Sequence, residues 1–158
     1  LQRMDLSLAA DGEGARAELE RLRQSGILTS ERADAADIRA VTRFGRSALC
    51  RRLLGAEELR REFRFTLLAD ASDYLDGAPE GERLLLQGVV DCFIVENGGI
   101  TVIDYKTDRV TAAEAPERAI SYAPQLEAYA RALERIRGLP VREKLVYFLT
   151  PGVCVTLP

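Results

Sequence analysis

Two aspartates and a lysine, Asp91, Asp104 and Lys106, are the side chains of this sequence best placed to do chemistry. The aspartates flank an Asn97-Gly98 pair set between two β-branched apolar runs, which is typical of a tight hairpin because both turn residues tolerate positive φ. Counting outward from this turn places Asp91 opposite Asp104 on one face, with Lys106 two residues further along that face. Two facing carboxylates repel each other unless a cation joins them. The hairpin therefore predicts a cation site.

A divalent metal ion fits this predicted site. Mg²⁺ prefers carboxylate oxygens and usually takes one or two of them while it keeps waters and phosphate oxygens. The Lys106 ammonium, about 7 Å along the strand from Asp104, can reach a group held at such an ion and stabilise charge on a phosphate. A solvated ion-pair cluster is the structural alternative. Apolar residues between the charges favour a cleft instead, and these are Phe93, Val95, Ile100 and Val102.

The composition excludes several other classes of site. The 158 residues contain no histidine, which removes His-based triads and zinc sites built on His. Cys50, Cys92 and Cys154 are far apart without a C-x-x-C pair, so they predict no disulfide framework, zinc site or iron–sulfur centre. No signal peptide or membrane-length apolar run is present, and we expect a reducing, cytoplasmic setting with no membrane partner.

Charge is unevenly distributed along the chain. The net charge of −3 argues against general attraction to nucleic acid. Between Arg43 and Arg64, however, seven arginines stand against three glutamates. A DNA contact and an ordinary solvated helix face are both compatible with this arginine stripe.

Helical periodicity dominates the first part of the chain. We interpret residues 1–60 as an N-terminal helical segment and residues 61–158 as the core of the same domain. The first predicted helix spans residues 12–26. A second starts after Thr29-Ser30, either of which can cap it, and runs to about Phe44. A third spans residues 47–54, with a further turn allowed over 57–60.

Alternating apolar and polar residues begin at Arg61 and predict strands. The residues between the first strand and the hairpin, Ala69 to Glu82, have the composition of a surface loop. The order of elements indicates an α/β fold with a mixed sheet of about five strands flanked by helices. After the hairpin we expect a short helix to about Ile120, a longer one from Ala123 to Gly138, and strands over 141–149 and 152–157.

Three motifs occur in a fixed order: Gly88-Val-Val-Asp91, Ile103-Asp104-Tyr105-Lys106-Thr107, and Tyr122-x-x-Gln125-Leu126-x-x-Tyr129. Together they resemble the RecB-like branch of the PD-(D/E)xK nucleases, and most closely the C-terminal nuclease domain of AddA-type subunits of bacterial helicase-nucleases. The segment from Arg61 to Phe65 also resembles the strand before the family's catalytic hairpin. The resemblance covers nearly the whole chain and implies a restriction-endonuclease-like core.

The resemblance also implies roles for individual residues. Asp91, Asp104 and the backbone carbonyl of Tyr105 would hold Mg²⁺ or Mn²⁺, and Lys106 would be the catalytic lysine. The family's activity would be metal-dependent DNA exonuclease action that processes double-strand breaks for recombinational repair.

Two further residues match the family's downstream helix motif, which positions the lysine and the DNA. These are Gln125 and Tyr129, for which a helix face packed on the sheet is the alternative interpretation. Two interpretations of Glu62 stay open. It approaches the metal from the neighbouring strand, or it forms an ion pair with one of Arg60, Arg61 and Arg64.

The implied partners are a single-stranded DNA end, the helicase region of the same parent chain and a second helicase-nuclease subunit. The chain has no Gly-rich Lys-Ser/Thr phosphate loop, so any ATPase motor lies elsewhere. The family's upstream metal-binding histidine is also missing. Because the chain begins at Leu1, we interpret it as part of a longer protein, and we expect it to bind metal poorly on its own if that histidine precedes it.

A non-catalytic module that keeps the nuclease fold is a second hypothesis for the whole chain. Such a module would guide DNA or dock a subunit. The presence of Asp91, Asp104 and Lys106 together favours the nuclease.

Overall fold

A five-stranded mixed sheet forms the centre of the protein in the computed structural model, which describes residues 1, 3–73 and 75–158. The strands lie in the order β1-β2-β3-β4-β5, with β3 and β4 parallel and the other neighbours antiparallel. The predicted fold class is therefore confirmed. The strands are β1 (Glu58–Asp70), β2 (Arg83–Glu96), β3 (Gly99–Lys106), β4 (Val141–Phe148) and β5 (Val153–Leu157).

Helices cover both faces of this sheet. They are α1 (Gly12–Gln24), α2 (Ser30–Asp34), α3 (Ile38–Gly45), α4 (Ala48–Gly55), α5 (Ala115–Ile120) and α6 (Ala123–Arg137), with 3₁₀ turns at Leu6–Leu8 and Ala71–Asp73. On one face, α3 and α4 pack through Phe44 and Leu53 onto Cys92, Ile94 and neighbouring apolar residues. On the opposite face, α6 packs through Leu133 onto Phe93 and Val102. No helix in the described part of the chain is both long and apolar enough to cross a membrane.

The N-terminal helices differ from the prediction at two places. The single helix expected up to Phe44 is divided into α2 and α3, because the Asp37 side chain accepts the backbone N–H groups of Arg39 and Ala40 and starts a new helix. The turn allowed over residues 57–60 was wrong, because β1 begins at Glu58 and pairs with β2 from there.

The hairpin between β2 and β3 has the predicted register. The pairs run from Glu96 with Gly99 to Cys92 with Ile103. Asn97 has a φ of 50° and Gly98 a φ of 69°, which is the left-handed backbone that a two-residue turn between strands requires.

The β1–β2 hairpin reaches further than the sequence indicated. Pairing continues to Asp70 and Arg83, so the first two residues of the predicted surface loop belong to β1. Ala69 is fully buried, which explains why the strand continues into a segment whose composition is otherwise that of a loop.

Candidate active site

Asp91 lies where the β2–β3 ladder stops. The last regular pair is Cys92 with Ile103, one step before Asp91 and Asp104 would meet. The Oδ2 atom of Asp91 accepts the backbone N–H of Tyr105 at 3.1 Å, so a side chain here takes over the role of a backbone acceptor. Asp91 is thereby fixed at the opening between the two strands.

The β1–β2 ladder is also interrupted at this point, where Glu62 faces Asp91. Glu62 has a φ of 52°, a left-handed conformation that is uncommon for residues other than glycine. Across the interruption the apolar face of β1 changes sides: Leu59 packs with the cluster under α3 and α4, whereas Phe63 packs with the cluster under α6. Both strands are therefore irregular beside Asp91, and its carboxylate turns toward β3.

Asp104 is a buried carboxylate, with 3% of its surface exposed. Burial raises its pKa, the ammonium of Lys106 opposes that rise, and the adjacent carboxylate of Asp91 adds to it. The Lys106 Nζ atom lies 2.6 Å from Asp104 Oδ2 and pairs with this carboxylate. A buried carboxylate beside a second carboxylate is suited to coordinate a hard cation.

Lys106 is held by a short chain of side chains on the α6 face of the sheet. Its Nζ atom donates to Oε1 of Gln125 at 3.1 Å, and Nε2 of Gln125 donates to the hydroxyl of Tyr129 at 2.9 Å. The Tyr129 ring packs edge-on against Phe65, with 6.2 Å between the ring centroids. Gln125 thus contacts Lys106 directly, and Tyr129 contacts Gln125.

The side chain of Tyr105 points away from the carboxylates. Its ring packs edge-on against Phe44 at a centroid distance of 5.6 Å, on the opposite face of the sheet. Only its backbone can contribute to a site shared with Asp91 and Asp104. Two carboxylates match the number that Mg²⁺ usually takes from a protein, so the donor set fits such an ion.

Glu62 does not join this donor set. Its Oε2 atom lies 2.8 Å from Nη2 of Arg3. The arginines considered from the sequence are engaged differently: Arg60 pairs with Glu58, and Arg61 donates to backbone carbonyls of the N-terminal segment. Within the described residues, no three His, Cys, Asp or Glu side chains come together as a metal site.

The arginine stripe serves structural contacts at several positions. Arg52 forms ion pairs with Glu96 and Glu143, which joins α4 to the sheet. Arg46 donates to the Ala10 carbonyl at 2.8 Å. These contacts favour the structural interpretation of the stripe over a continuous DNA-binding surface.

Three residues beside Lys106 were not assigned a role from the sequence: Tyr122, Asp108 and Arg118. The Tyr122 ring lies against the Lys106 ammonium and its hydroxyl contacts the other two. Tyr122 belongs to one of the three sequence motifs. Asp108 and Arg118 are ten residues apart, and no periodic pattern in the sequence connects them.

Comparison with known proteins places the chain among nucleases. The sequence model of the PD-(D/E)XK nuclease superfamily matches residues 2–153. A protein of Carboxydothermus hydrogenoformans, named as a subunit of ATP-dependent helicase/nuclease, is 37% identical over 150 residues, which cover 94% of this chain and 13% of that protein. A Moorella thermoacetica protein of the same name is 37% identical over 158 residues, which cover 97% of this chain and 11% of that protein. The chain therefore spans between 11% and 13% of the length of these two relatives.

Among solved structures, the crystal structure of SSO0001 aligns with a TM-score of 0.46 and 18% sequence identity, over 96% of this chain and 63% of that one. Nucleases of the matched superfamily generally use divalent metal ions. Since the family match covers almost every residue and the named relatives align over nearly its whole length, this chain belongs to the PD-(D/E)XK nuclease superfamily, with AddA-type helicase/nuclease subunits among its relatives.

Proposed function

We propose that this chain is the nuclease domain of a helicase-nuclease and hydrolyses DNA phosphodiesters as a metal-dependent exonuclease. The observation that carries the proposal is the buried Asp104, which lies beside the Asp91 carboxylate and has Lys106 Nζ 2.6 Å from its Oδ2 atom. A buried charge of this kind is costly in a purely structural role. Beside a second carboxylate it is explained if a cation binds there.

In the proposed site, Asp91, Asp104 and the Tyr105 carbonyl would hold Mg²⁺ or Mn²⁺. When bound, such an ion makes water more acidic and polarises a phosphate oxygen. Asp91 keeps its orientation because the Tyr105 N–H holds Oδ2. Asp104 contributes a buried carboxylate beside that of Asp91.

Lys106 has the second role in the proposed reaction. The Lys106 side chain is only 18% exposed, so its charge acts in a poorly hydrated environment. There it orients the attacking water and stabilises charge that develops on the phosphate oxygens. Gln125 directs the ammonium, and Tyr129 holds the Gln125 amide in place.

We further propose the setting from the names of the relatives, each of which is a subunit of an ATP-dependent helicase/nuclease. The substrate would be a single-stranded DNA end produced at a double-strand break during recombinational repair. The partners would be a helicase region of the same parent chain and a second helicase-nuclease subunit, in the bacterial cytoplasm. Residues 1–60 would be the helical segment of the domain and residues 61–158 its nuclease core.

A non-catalytic DNA-guiding or subunit-docking module is the second candidate. The observation in its favour is that no third His, Cys, Asp or Glu side chain joins Asp91 and Asp104 among the described residues. Calorimetric titration of the full-length protein with Mn²⁺ separates the candidates at the level of metal binding. Heat of binding that disappears in the D91N variant supports the nuclease.

Digestion tests the activity itself. The full-length protein is incubated with linear or circular single-stranded DNA, in Mg²⁺ or in EDTA. An exonuclease degrades the linear DNA only, and only with the metal. Degradation of the circular DNA at the same rate would contradict the exonuclease assignment, and no degradation of either DNA would favour the non-catalytic module.

A further inference from the structure

The Lys106 ammonium rests on an aromatic ring. Its Nζ atom lies 4.1 Å from the centroid of the Tyr122 ring, within the range of a cation–π contact. Tyr122 stands at the N-terminal end of α6, one residue before the helix begins. Its ring also packs against Phe148 of β4, at a centroid distance of 6.4 Å. The ring therefore packs with the apolar residues that lie between α5, α6 and β4. It forms one wall beside Lys106.

Two charged side chains from other elements hold this ring by its hydroxyl. The Tyr122 hydroxyl lies 2.8 Å from Oδ1 and 3.0 Å from Oδ2 of Asp108, to which it donates. Arg118, on α5, donates from Nη2 to the same hydroxyl at 2.9 Å and from Nε to Asp108 Oδ1 at 2.7 Å. The three side chains close a ring of hydrogen bonds, which we call the tyrosine clamp.

Within the tyrosine clamp, Asp108 favours the cation electrostatically and Arg118, which donates to the same hydroxyl, opposes it. A phenol that donates to a carboxylate carries more electron density on its ring, and a more electron-rich face attracts an ammonium more strongly. Burial and the Asp108 carboxylate both raise the pKa of the Tyr122 phenol, so it keeps the proton that it donates. The same ring attracts the Arg118 guanidinium, whose Cζ atom lies 5.0 Å from the centroid.

We propose that Tyr122 is a positioning residue for Lys106, with Asp108 and Arg118 fixing its ring for this task; the proposal rests on the nuclease function proposed above. Lysine has a long, flexible stem and its ammonium has no fixed direction of its own. Asp104, Gln125 and the Tyr122 ring confine the ammonium from three sides, which leaves it directed at the carboxylates. Without the ring, the ammonium samples other rotamers and spends less time where a phosphate would meet it.

A pair of variants separates positioning from packing. Y122F keeps the aromatic face and loses the hydroxyl, whereas Y122L keeps apolar bulk and loses the face. In the full-length protein we expect Y122L to lower kcat on single-stranded DNA by about 10- to 100-fold, because small displacements of a catalytic group have effects of that size. We expect KM to stay within about twofold, since Lys106 acts on the transition state. We expect kcat of Y122F to lie between those of Y122L and wild type, because the aromatic face remains but the hydrogen bonds that fix it are lost.

Lysine NMR gives a readout that does not depend on activity. The chain contains only two lysines, Lys106 and Lys144, and Lys144 is paired with Glu127 at 2.9 Å. Stacking on a ring face shifts the Lys106 Hε and Cε resonances upfield of those of Lys144. We expect this upfield shift in the 158-residue chain and in Y122F, and its loss in Y122L.

The two readouts fail separately. Equal kcat values for Y122L and Y122F, or a Lys106 resonance unchanged in Y122L, would overturn the positioning role. If the wild-type protein digests no DNA, the nuclease function fails, and the NMR comparison still decides whether Tyr122 holds Lys106.

Discussion

Oδ2 of Asp91 and the backbone N–H of Tyr105 are joined by a 3.1 Å hydrogen bond at the point where β2 and β3 separate. A regular ladder would place a backbone carbonyl in this position. The bond thus ties Asp91, a proposed metal ligand, to Tyr105. In the chain, Tyr105 stands between Asp104, a second proposed ligand, and Lys106, the proposed catalytic lysine. The geometry of the site consequently depends on the strand opening as much as on the side chains.

The bond to Tyr105 predicts that two substitutions of Asp91 differ in stability. D91N keeps an oxygen that accepts the Tyr105 N–H, whereas D91A leaves this N–H without its acceptor. We expect D91A to lower the free energy of unfolding by about 1–3 kcal/mol and D91N to lower it by less, while both abolish Mn²⁺ binding. Urea unfolding and calorimetry measure the two effects. Equal stability of D91A and D91N would show that the bond contributes nothing.

Gln125 is predicted to act through Lys106. Q125L removes the acceptor that Lys106 Nζ uses and the donor that the Tyr129 hydroxyl uses. We expect kcat on single-stranded DNA to fall by about 10-fold or more, with the melting temperature almost unchanged because Gln125 is exposed. Y129F is the matched control, since it leaves the Lys106–Gln125 bond in place and should lose less. If Q125L keeps full activity, the helix face is only packed on the sheet.

Parts of this site follow from local sequence rules. Asn97 and Gly98 determined the register of the hairpin, because a two-residue turn with positive φ fixes which residues face each other. Gln125 and Tyr129 share a face because they are four residues apart on one helix. Both rules need only neighbours in the chain.

Other parts depend on packing that no local rule contains. Asp91 leaves the ladder because β1 and β2 are both irregular where Glu62 faces it. At this irregularity the apolar side chains of β1 change from the cluster on one face of the sheet to the cluster on the other. Glu62 pairs with Arg3, which is 59 positions away in the chain. Asp108 and Arg118 meet at Tyr122 because α5 folds back over β5 and the segment that follows β3.

Glu18 gives the N-terminal helices a predicted pH dependence. Its buried carboxylate accepts two bonds from Arg21 and one from the Asp5 N–H, and chiefly through Arg21 its pKa lies below the usual value. The stabilisation is present above the unfolded pKa of about 4.3 and is lost as the pH falls through the lower folded pKa. We expect E18Q to cost about 1–3 kcal/mol at pH 7, with the difference from wild type shrinking as the pH falls below about 4. Urea unfolding at a series of pH values measures this difference.

E20Q is the matched control for this test. Glu20 makes the same kind of pair with Arg23 on the same helix, but both side chains are 44% exposed. We therefore expect little change in the free energy of unfolding. A pH profile for E18Q that stays parallel to wild type would contradict the role assigned to Glu18.

The aromatic contact between Phe65 and Tyr129 is predicted to require a glycine at position 88. A Cβ atom at this position would lie 2.7 Å from Phe65 Cε1 and 3.4 Å from Tyr129 Cε1. We expect G88A to lower the free energy of unfolding by about 1–3 kcal/mol, because the rings must move apart. G55A is the control, since a Cβ atom added at the end of α4 would meet nothing within 4 Å. Equal stability of the two variants would mean that Phe65 and Tyr129 adjust freely.

The central claim is that Asp104 is a ligand of a catalytic metal ion. The most direct measurement compares digestion of linear single-stranded DNA by full-length wild-type protein, D104N and D34N in Mg²⁺, with Asp34 as an exposed carboxylate on α2 away from the site. We expect a fall of at least about 100-fold for D104N, wild-type rates for D34N, and no digestion by any of them in EDTA. Digestion by D104N at the wild-type rate would contradict the central claim.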